Sequence, residues 1–188
     1  MTDDLPRCSW ATSAPEYVTY HDEEWGRPLR GDDALFERLC LEAFQSGLSW
    51  ITILRKRPAF RAAFAGFSID AVAAFTGADE ARLLADAGIV RNRAKVAAAI
   101  ANARAAQQLP AGLAALLGSF APGEPRPRPA TIAEVPATSS ESVAMAKELK
   151  RRGFVVVGPT TAYALMQATG MVDDHVSGCF RAAPARAT

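Results

Sequence analysis

The sequence predicts an all-helical fold, on three observations. Alanine and leucine dominate the 188 residues, sustained apolar–polar alternation is scarce, and apolar positions recur at helical spacing in several segments. The length suits one domain, able to bury about 70% of its unfolded surface. With 49% hydrophobic and 22% charged residues, the composition is that of a globule rather than a disordered or fibrous chain. No apolar run approaches the roughly 20 residues of a membrane span, and the acidic start lacks the apolar core of a signal peptide. Three cysteines, an odd number, suit a reducing compartment, so the expected location is the cytoplasm.

The elements follow in order. Residues 1–30 are punctuated by proline and read as irregular with one short helix. Asp32 or Asp33 caps a helix running to about Gln45, and Gly47 breaks it. Ser49 opens the next helix, which carries Trp50, Ile53 and Leu54, and 58–66 and 69–75 read as short separate helices. Another runs over 79–87 and ends at Gly88. Residues 91–107 are helical, with Val96, Ile100 and Ala103 on one face. Four prolines and a glycine make 121–130 a loop. Ser139 or Ser140 precedes a helix over 141–152 with Gly153 just past its end. The β-branched run 154–157 has no partner strand in view and reads as an extended link. A core helix over 162–170 and a frayed tail at 182–188 complete the chain.

The only two histidines, His21 and His175, each have a cysteine near in sequence: Cys8 lies 13 residues before the first and Cys179 four after the second. Cysteine and histidine at such spacing suit a tetrahedral Zn²⁺, and four protein ligands leave no place for a reactive water, so the metal would be structural. The plainer alternative is buried core cysteines and histidines, and the spacing alone leaves both open.

Glu42 is the sharpest anomaly. It shares a helical stripe with Leu35, Leu39 and Ser46, which places a carboxylate on an apolar face. The alternative is a surface pair with Arg38 one turn away. Five of the six tryptophans and tyrosines lie in the first 50 residues. A carboxylate among aromatic faces suits a flat, positively charged ring, whereas a plain aromatic core is the commoner arrangement.

The net charge of +1 announces no partner, but basic residues cluster at 55–61, 91–95 and 147–152. These form either one basic face or ordinary solvated surfaces. At 83–95 the chain reads as helix, Gly88 turn, then a helix whose first turn holds Arg91 and Arg93, the arrangement of a helix-hairpin-helix DNA clamp. Alone this is a weak signal, because many helical hairpins turn on glycine.

Six ordered stretches carry a resemblance: CSW at 8–10, YHDEEWG at 20–26, LEAFQSGLSWITILRKR at 41–57, DAGIVRNRAK at 86–95, KELKRRGFVVVGPTTAYALMQATG at 147–170 and VDDHVSGC at 172–179. Together they resemble the bacterial DNA-3-methyladenine glycosylase I family. The resemblance implies a compact all-α domain over 1–188 of the helix-hairpin-helix glycosylase type, with the hairpin at about 79–107. It implies hydrolysis of the N-glycosidic bond of 3-methyladenine in double-stranded alkylated DNA, releasing that base and leaving an abasic site. It implies one structural Zn²⁺ on Cys8, His21, His175 and Cys179, joining 8–21 to 175–179.

It further implies catalytic roles for Glu42 and Tyr20, with Trp10, Tyr17, Trp25 and Trp50 around the base. For DNA, the hairpin residues Gly88, Arg91, Arg93 and Lys95 are expected at phosphates, and Leu48, a single apolar residue in the turn at 47–49, is a candidate wedge that reads equally as core. Cys40 matches no ligand and reads as filler, and Asp173 and Asp174 are expected to position His175. The chain departs from the family at Gly118-Ser119-Phe120, where Trp-Ser-Phe is common, and in its loop rich in proline and arginine. A monomer with no membrane partner is expected. The rival from another class is a zinc-clasped helical module that binds DNA or methylated bases without cleaving.

Overall fold

The computed structural model describes residues 4–182, and these form helices and connections without a strand. After a 3₁₀ turn at Ser9–Thr12 come α1 (Pro15–Glu23), α2 (Asp32–Gln45), α3 (Trp50–Ala63), α4 (Ile69–Ala73), α5 (Gly77–Ala85), α6 (Arg93–Gln107), α7 (Gly112–Gly118), α8 (Ser140–Arg151) and α9 (Pro159–Ala168). The expected frayed tail lies almost wholly outside the described residues.

Helix α2 is the hub, packing on α3, α4, α6, α7 and α9. Its buried face, with Leu35, Phe36, Leu39, Cys40, Leu41 and Phe44, meets Phe60 of α3 and Phe64 and Phe67 just after it. Cys40 is thus filler, as expected. A second, smaller cluster gathers Cys8, Tyr20, Trp25, Leu54 and Cys179 and joins the two ends of the chain.

The local rules hold at several ends. Asn92 accepts from the Lys95 N–H at the start of α6, and Ser139 accepts from Ser142 at the start of α8. Helix α8 closes as a Schellman turn: Gly153 sits at φ +90°, its N–H reaches the Lys150 carbonyl, and the Phe154 N–H reaches Leu149.

Two expectations need correction, and one helix was not foreseen. Segment 58–66 is not a separate helix, because α3 continues through Pro58 to Ala63. Proline removes one N–H, but its exposed ring leaves the buried Ile53, Leu54 and Phe60 to carry the helix past it. Neither Asp32 nor Asp33 caps α2, whose N-cap is Gly31. Asp32 instead accepts from the Leu113 and Ala114 N–H groups of α7 at 3.0 and 2.8 Å, and Asp33 from Ile69 of α4. Helix α7 itself has no counterpart in the sequence reading. The link at 154–157 has no strand partner, as expected, but it is not extended throughout: Val156 bends at φ +58°.

Candidate functional site

Helices α1, α2, α3 and α9, with the Ser9–Thr12 turn, enclose a cavity of about 460 Å³. The stripe on α2 aims Glu42 into it: Leu35 and Leu39 bury beside it, and Glu42 is only 6% exposed. The walls are aromatic. Trp10 meets Tyr17 and Trp25 edge to face at 5.7 and 5.1 Å, and Tyr20 lies 5.4 Å from Trp50. The structure therefore brings together Trp10, Tyr17, Tyr20, Trp25, Glu42 and Trp50, all six side chains singled out around a flat ring.

Burial pushes the Glu42 carboxyl up to about 7, against the opposing pull of Arg38. The alternative, a surface pair with Arg38, does not form. Arg38 is itself buried and donates to the Tyr20 hydroxyl oxygen at 2.9 Å and to Glu24 at 3.4 Å. Glu24 is held in turn by Arg57, at 2.7 Å for one of two bonds. The Arg38 guanidinium also lies over the Tyr20 and Trp50 rings at 5.2 and 5.5 Å. Because arginine only donates, the Tyr20 oxygen accepts and its O–H is left to donate. Burial raises the Tyr20 phenol further, so that proton stays on. Tyr17 accepts the Ile51 N–H of α3 at 2.9 Å, which fixes its ring. Among the described residues, no hydrogen bond reaches the Glu42 carboxyl, and the buried Trp50 indole N–H has no acceptor. The pocket thus offers one carboxylate acceptor, with hydroxyl, indole and amide groups around a flat slot.

Trp25 is the wall between this cavity and the histidines, 4.6 Å from the His175 ring. Behind it, Cys8 Sγ, His21 Nε2 and Cys179 Sγ lie within 4.8 Å of one another, a group able to hold a metal ion. His175 is outside that three-atom group, but its ring is 5.2 Å from that of His21. Its Nε2 is buried without a partner. Each imidazole has a carboxylate at Nδ1: Asp22 at 2.7 Å for His21 and Asp173 at 2.9 Å for His175. Burial holds His21 below the usual histidine range, favouring the neutral ring. Of the two aspartates expected to position His175, Asp173 does so. Asp174 instead accepts from Tyr163 and Gln167 at 2.6 and 2.8 Å.

The basic clusters are mostly engaged. Arg55, Arg57 and Arg61 pair with Glu16, Glu24 and Glu37, and Arg151 and Arg152 with Glu148. In the α5–α6 pair, Arg93 reaches Glu80 at 3.1 Å. Lys95 donates to the Phe44 and Ser46 carbonyls at the end of α2, so it does not stand free for phosphate as the hairpin reading expected. The Gly88 N–H bonds Asp86. Among the described residues, Arg91, Lys147 and Lys150 have neither an ion pair nor a side-chain hydrogen bond. Leu48 is 41% exposed at the tip of the turn between α2 and α3, which excludes the core reading.

Sequence reasoning missed Gln45 and Gln167 in the pocket lining, Arg38 at the Tyr20 hydroxyl, and Gly26 against His175. Arg38 had a signal, since it stands one turn from Glu42 on the helix that carries the apolar stripe. Gly26 needs its missing Cβ: one built there would lie 2.6 Å from His175 Cε1.

A box of rings around one buried carboxylate, set in an all-α frame, defines a protein that admits a single planar, hydrogen-bonding molecule. The comparisons with known proteins narrow that class. Residues 10–182 match the family model described as methyladenine glycosylase, and the chain belongs to that family. It is 46% identical over 179 residues to DNA-3-methyladenine glycosylase 1 of Escherichia coli (strain K12), covering 93% of this chain and 96% of that one. It is 40% identical to DNA-3-methyladenine glycosylase of Haemophilus influenzae, over 92% and 96% of the two chains. A crystal structure of 3-methyladenine DNA glycosylase I superposes with a TM-score of 0.91 at 43% identity, covering 95% of this chain and all of the other. The Staphylococcus aureus enzyme, from a study of 3-methyladenine recognition, gives 0.87 at 32% identity over 94% and 96%.

Proposed function

We propose that this protein is a monofunctional DNA glycosylase that hydrolyses the N-glycosidic bond of 3-methyladenine in alkylated double-stranded DNA and leaves an abasic site. The observation that carries this reading is Glu42, buried and unpaired, facing a slot of aromatic rings.

Alkylation at N3 leaves the nucleoside cationic, so the bond from C1′ to the base is already weak and the base departs neutral. Water adds its oxygen to C1′ and releases a proton, while the bonding electrons go to the base. Little general acid is needed. The chain's own work is to take the extruded nucleotide, at a cost of a few kcal/mol of unstacking, and hold the base. Trp10, Tyr17, Trp25 and Trp50 wall the ring. Glu42 accepts an N–H from its edge, and Tyr20, its oxygen already occupied by Arg38, donates to a ring nitrogen. A base whose edge cannot match one acceptor beside one donor leaves a buried polar group unsatisfied.

Zinc fits the group at the chain ends. The bare buried Nε2 of His175, the His21 Nε2 and the two thiols are the donors, and each imidazole is oriented by a carboxylate, as metal-bound histidines usually are. Cys8, His21, His175 and Cys179 would hold it, and a closed four-ligand site supplies a structural tie, not Lewis acidity toward substrate. It would brace Trp25, and through it one wall of the slot.

The whole chain acts as one glycosylase domain, with the α5–α6 pair as its DNA clamp. Arg91 is its phosphate contact, Arg93 joins by releasing Glu80, Gly88 shapes the turn with its N–H on Asp86, and Lys95 braces the turn that presents the Leu48 wedge. We read it as a cytoplasmic monomer. All three cysteines are free, and no described helix is long and apolar enough to cross a membrane.

The test is excision kinetics on methylated DNA with Glu42→Gln and Glu42→Ala. Both should lose kcat/KM, with Glu42→Ala losing at least as much. Wild-type kcat/KM in both removes Glu42 from the mechanism.

A further inference from the structure

A second cavity, of about 480 Å³, opens beside the aromatic slot. Ser46, Lys150, Thr161 and the link at 154–158 line it. The two cavities run side by side along two elements. At the end of α2, Gln45 faces the slot and Ser46 the groove. On α9, Ala164 faces the slot and Thr161, one turn earlier, the groove.

The link is an unusual piece of chain. Val155 and Val156 are 45% and 42% exposed, and Val156 sits at φ +58°, a strained conformation for a β-branched residue. The strain is held by design of the neighbouring helix. Asn102 of α6, 1% exposed, donates to the Val155 carbonyl at 3.1 Å and accepts the Val155 N–H at 2.8 Å. Phe154 is buried just before it. The two valines are thus fixed outward on a rigid support. Lys150 stands in the same groove without an ion pair or side-chain hydrogen bond, while its neighbours Arg151 and Arg152 are both tied to Glu148. No acidic residue lines the groove. Leu48, two residues from Ser46, is exposed on the adjoining turn.

We propose that this groove is a second DNA contact. Val155 and Val156 pack against the sugar and base faces next to the extruded nucleotide, and Lys150 takes a backbone phosphate. The inference rests on the glycosylase reading above. A nucleotide held in the slot remains bonded to its neighbours, phosphates recur every few ångströms along a strand, and this groove is the ground beside the slot. Its surface, apolar with one free cation and no acid, matches a flat-faced polyanion. Strained backbone tends to be kept where a function uses it.

The experiment measures affinity for a duplex carrying a tetrahydrofuran abasic analogue, by fluorescence anisotropy over a salt series. Lys150→Ala should reduce the slope of log K against log salt by about 0.9, the release of one phosphate contact. Val156→Gly removes the side chain and relieves the positive φ. It should leave the melting temperature unchanged or raised while weakening duplex binding about tenfold. Val155→Ser should weaken it in the same direction. Binding of free 3-methyladenine, read by tryptophan fluorescence, should be unchanged in all three, because none lines the slot. A wild-type slope for Lys150→Ala, or wild-type duplex affinity for Val156→Gly, overturns the proposal. Failure of the wild-type protein to release 3-methyladenine from methylated DNA would instead refute the glycosylase reading, a result these variants do not produce.

Discussion

Replacing Glu42 by glutamine should stabilise this protein, and only above a particular pH. Glu42 is 6% exposed, and its carboxyl has no hydrogen bond among the described residues and is raised from an ordinary 4.5 to about 7 by burial. In the unfolded chain it ionises near 4.5. Because the folded value is the higher one, the folded state binds the proton more tightly. Wild-type stability is therefore intact below about pH 4.5 and falls as pH rises through about 7. At 1.36 kcal/mol per pH unit, the penalty above pH 7 is about 3 kcal/mol. Glutamine keeps the shape and cannot ionise, so it escapes that loss. Urea unfolding of both proteins at pH 5 and pH 8 isolates the effect, since they share every other titrating group. The advantage of Glu42→Gln should be small at pH 5 and about 3 kcal/mol at pH 8, equivalent to roughly 6–12 °C in Tm. An advantage that is absent at pH 8, or equal at both pH values, refutes the claim that Glu42 sits buried and unpaired. A residue retained at such a cost is retained for what it binds.

Four further outcomes follow from the same geometry. Wild-type kcat/KM should rise with pH through about 7 as Glu42 becomes an acceptor, and Glu42→Gln should lack that limb; a profile unchanged by the substitution would contradict it. The protein should carry one zinc per chain by elemental analysis, and His175→Ala should lose metal and Tm together, whereas retained metal would exclude His175 as a ligand. Gly26→Ala places a Cβ 2.6 Å from His175 at φ +74°, so it should weaken metal retention under a chelator while Gly31→Ala, with open space around it, should not. Asp32→Ala leaves two α7 N–H groups without their acceptor and should cost about 1–2 kcal/mol in urea unfolding, with activity unchanged in the folded protein.

The sequence showed most of the site and less of the frame. Glu42 was legible because a carboxylate breaks an apolar stripe, and stripes are local. The histidines and cysteines stood out because few residue types hold a metal, and the structure brings Cys8, His21 and Cys179 together. The part that Arg38 plays was not. Its partners, Tyr20 and Glu24, lie 18 and 14 residues away, and only the fold turns them toward one another. Helix α7 was missed for a similar reason: its carboxylate cap is Asp32, 81 residues earlier in the chain. Pro58 suggested a helix boundary by a sound local rule, and the packing of Ile53, Leu54 and Phe60 on α2 and its neighbours overrode it. Clustered arginines suggested an open basic face, but their acidic partners come from other helices and from the last turn of α8.

The most direct measurement is chromatography of the bases released when the purified protein is incubated with methylated duplex DNA. The account predicts 3-methyladenine as the released base, with Glu42→Ala releasing far less over the same time. A folded, zinc-loaded protein that binds the DNA and frees no base would contradict it.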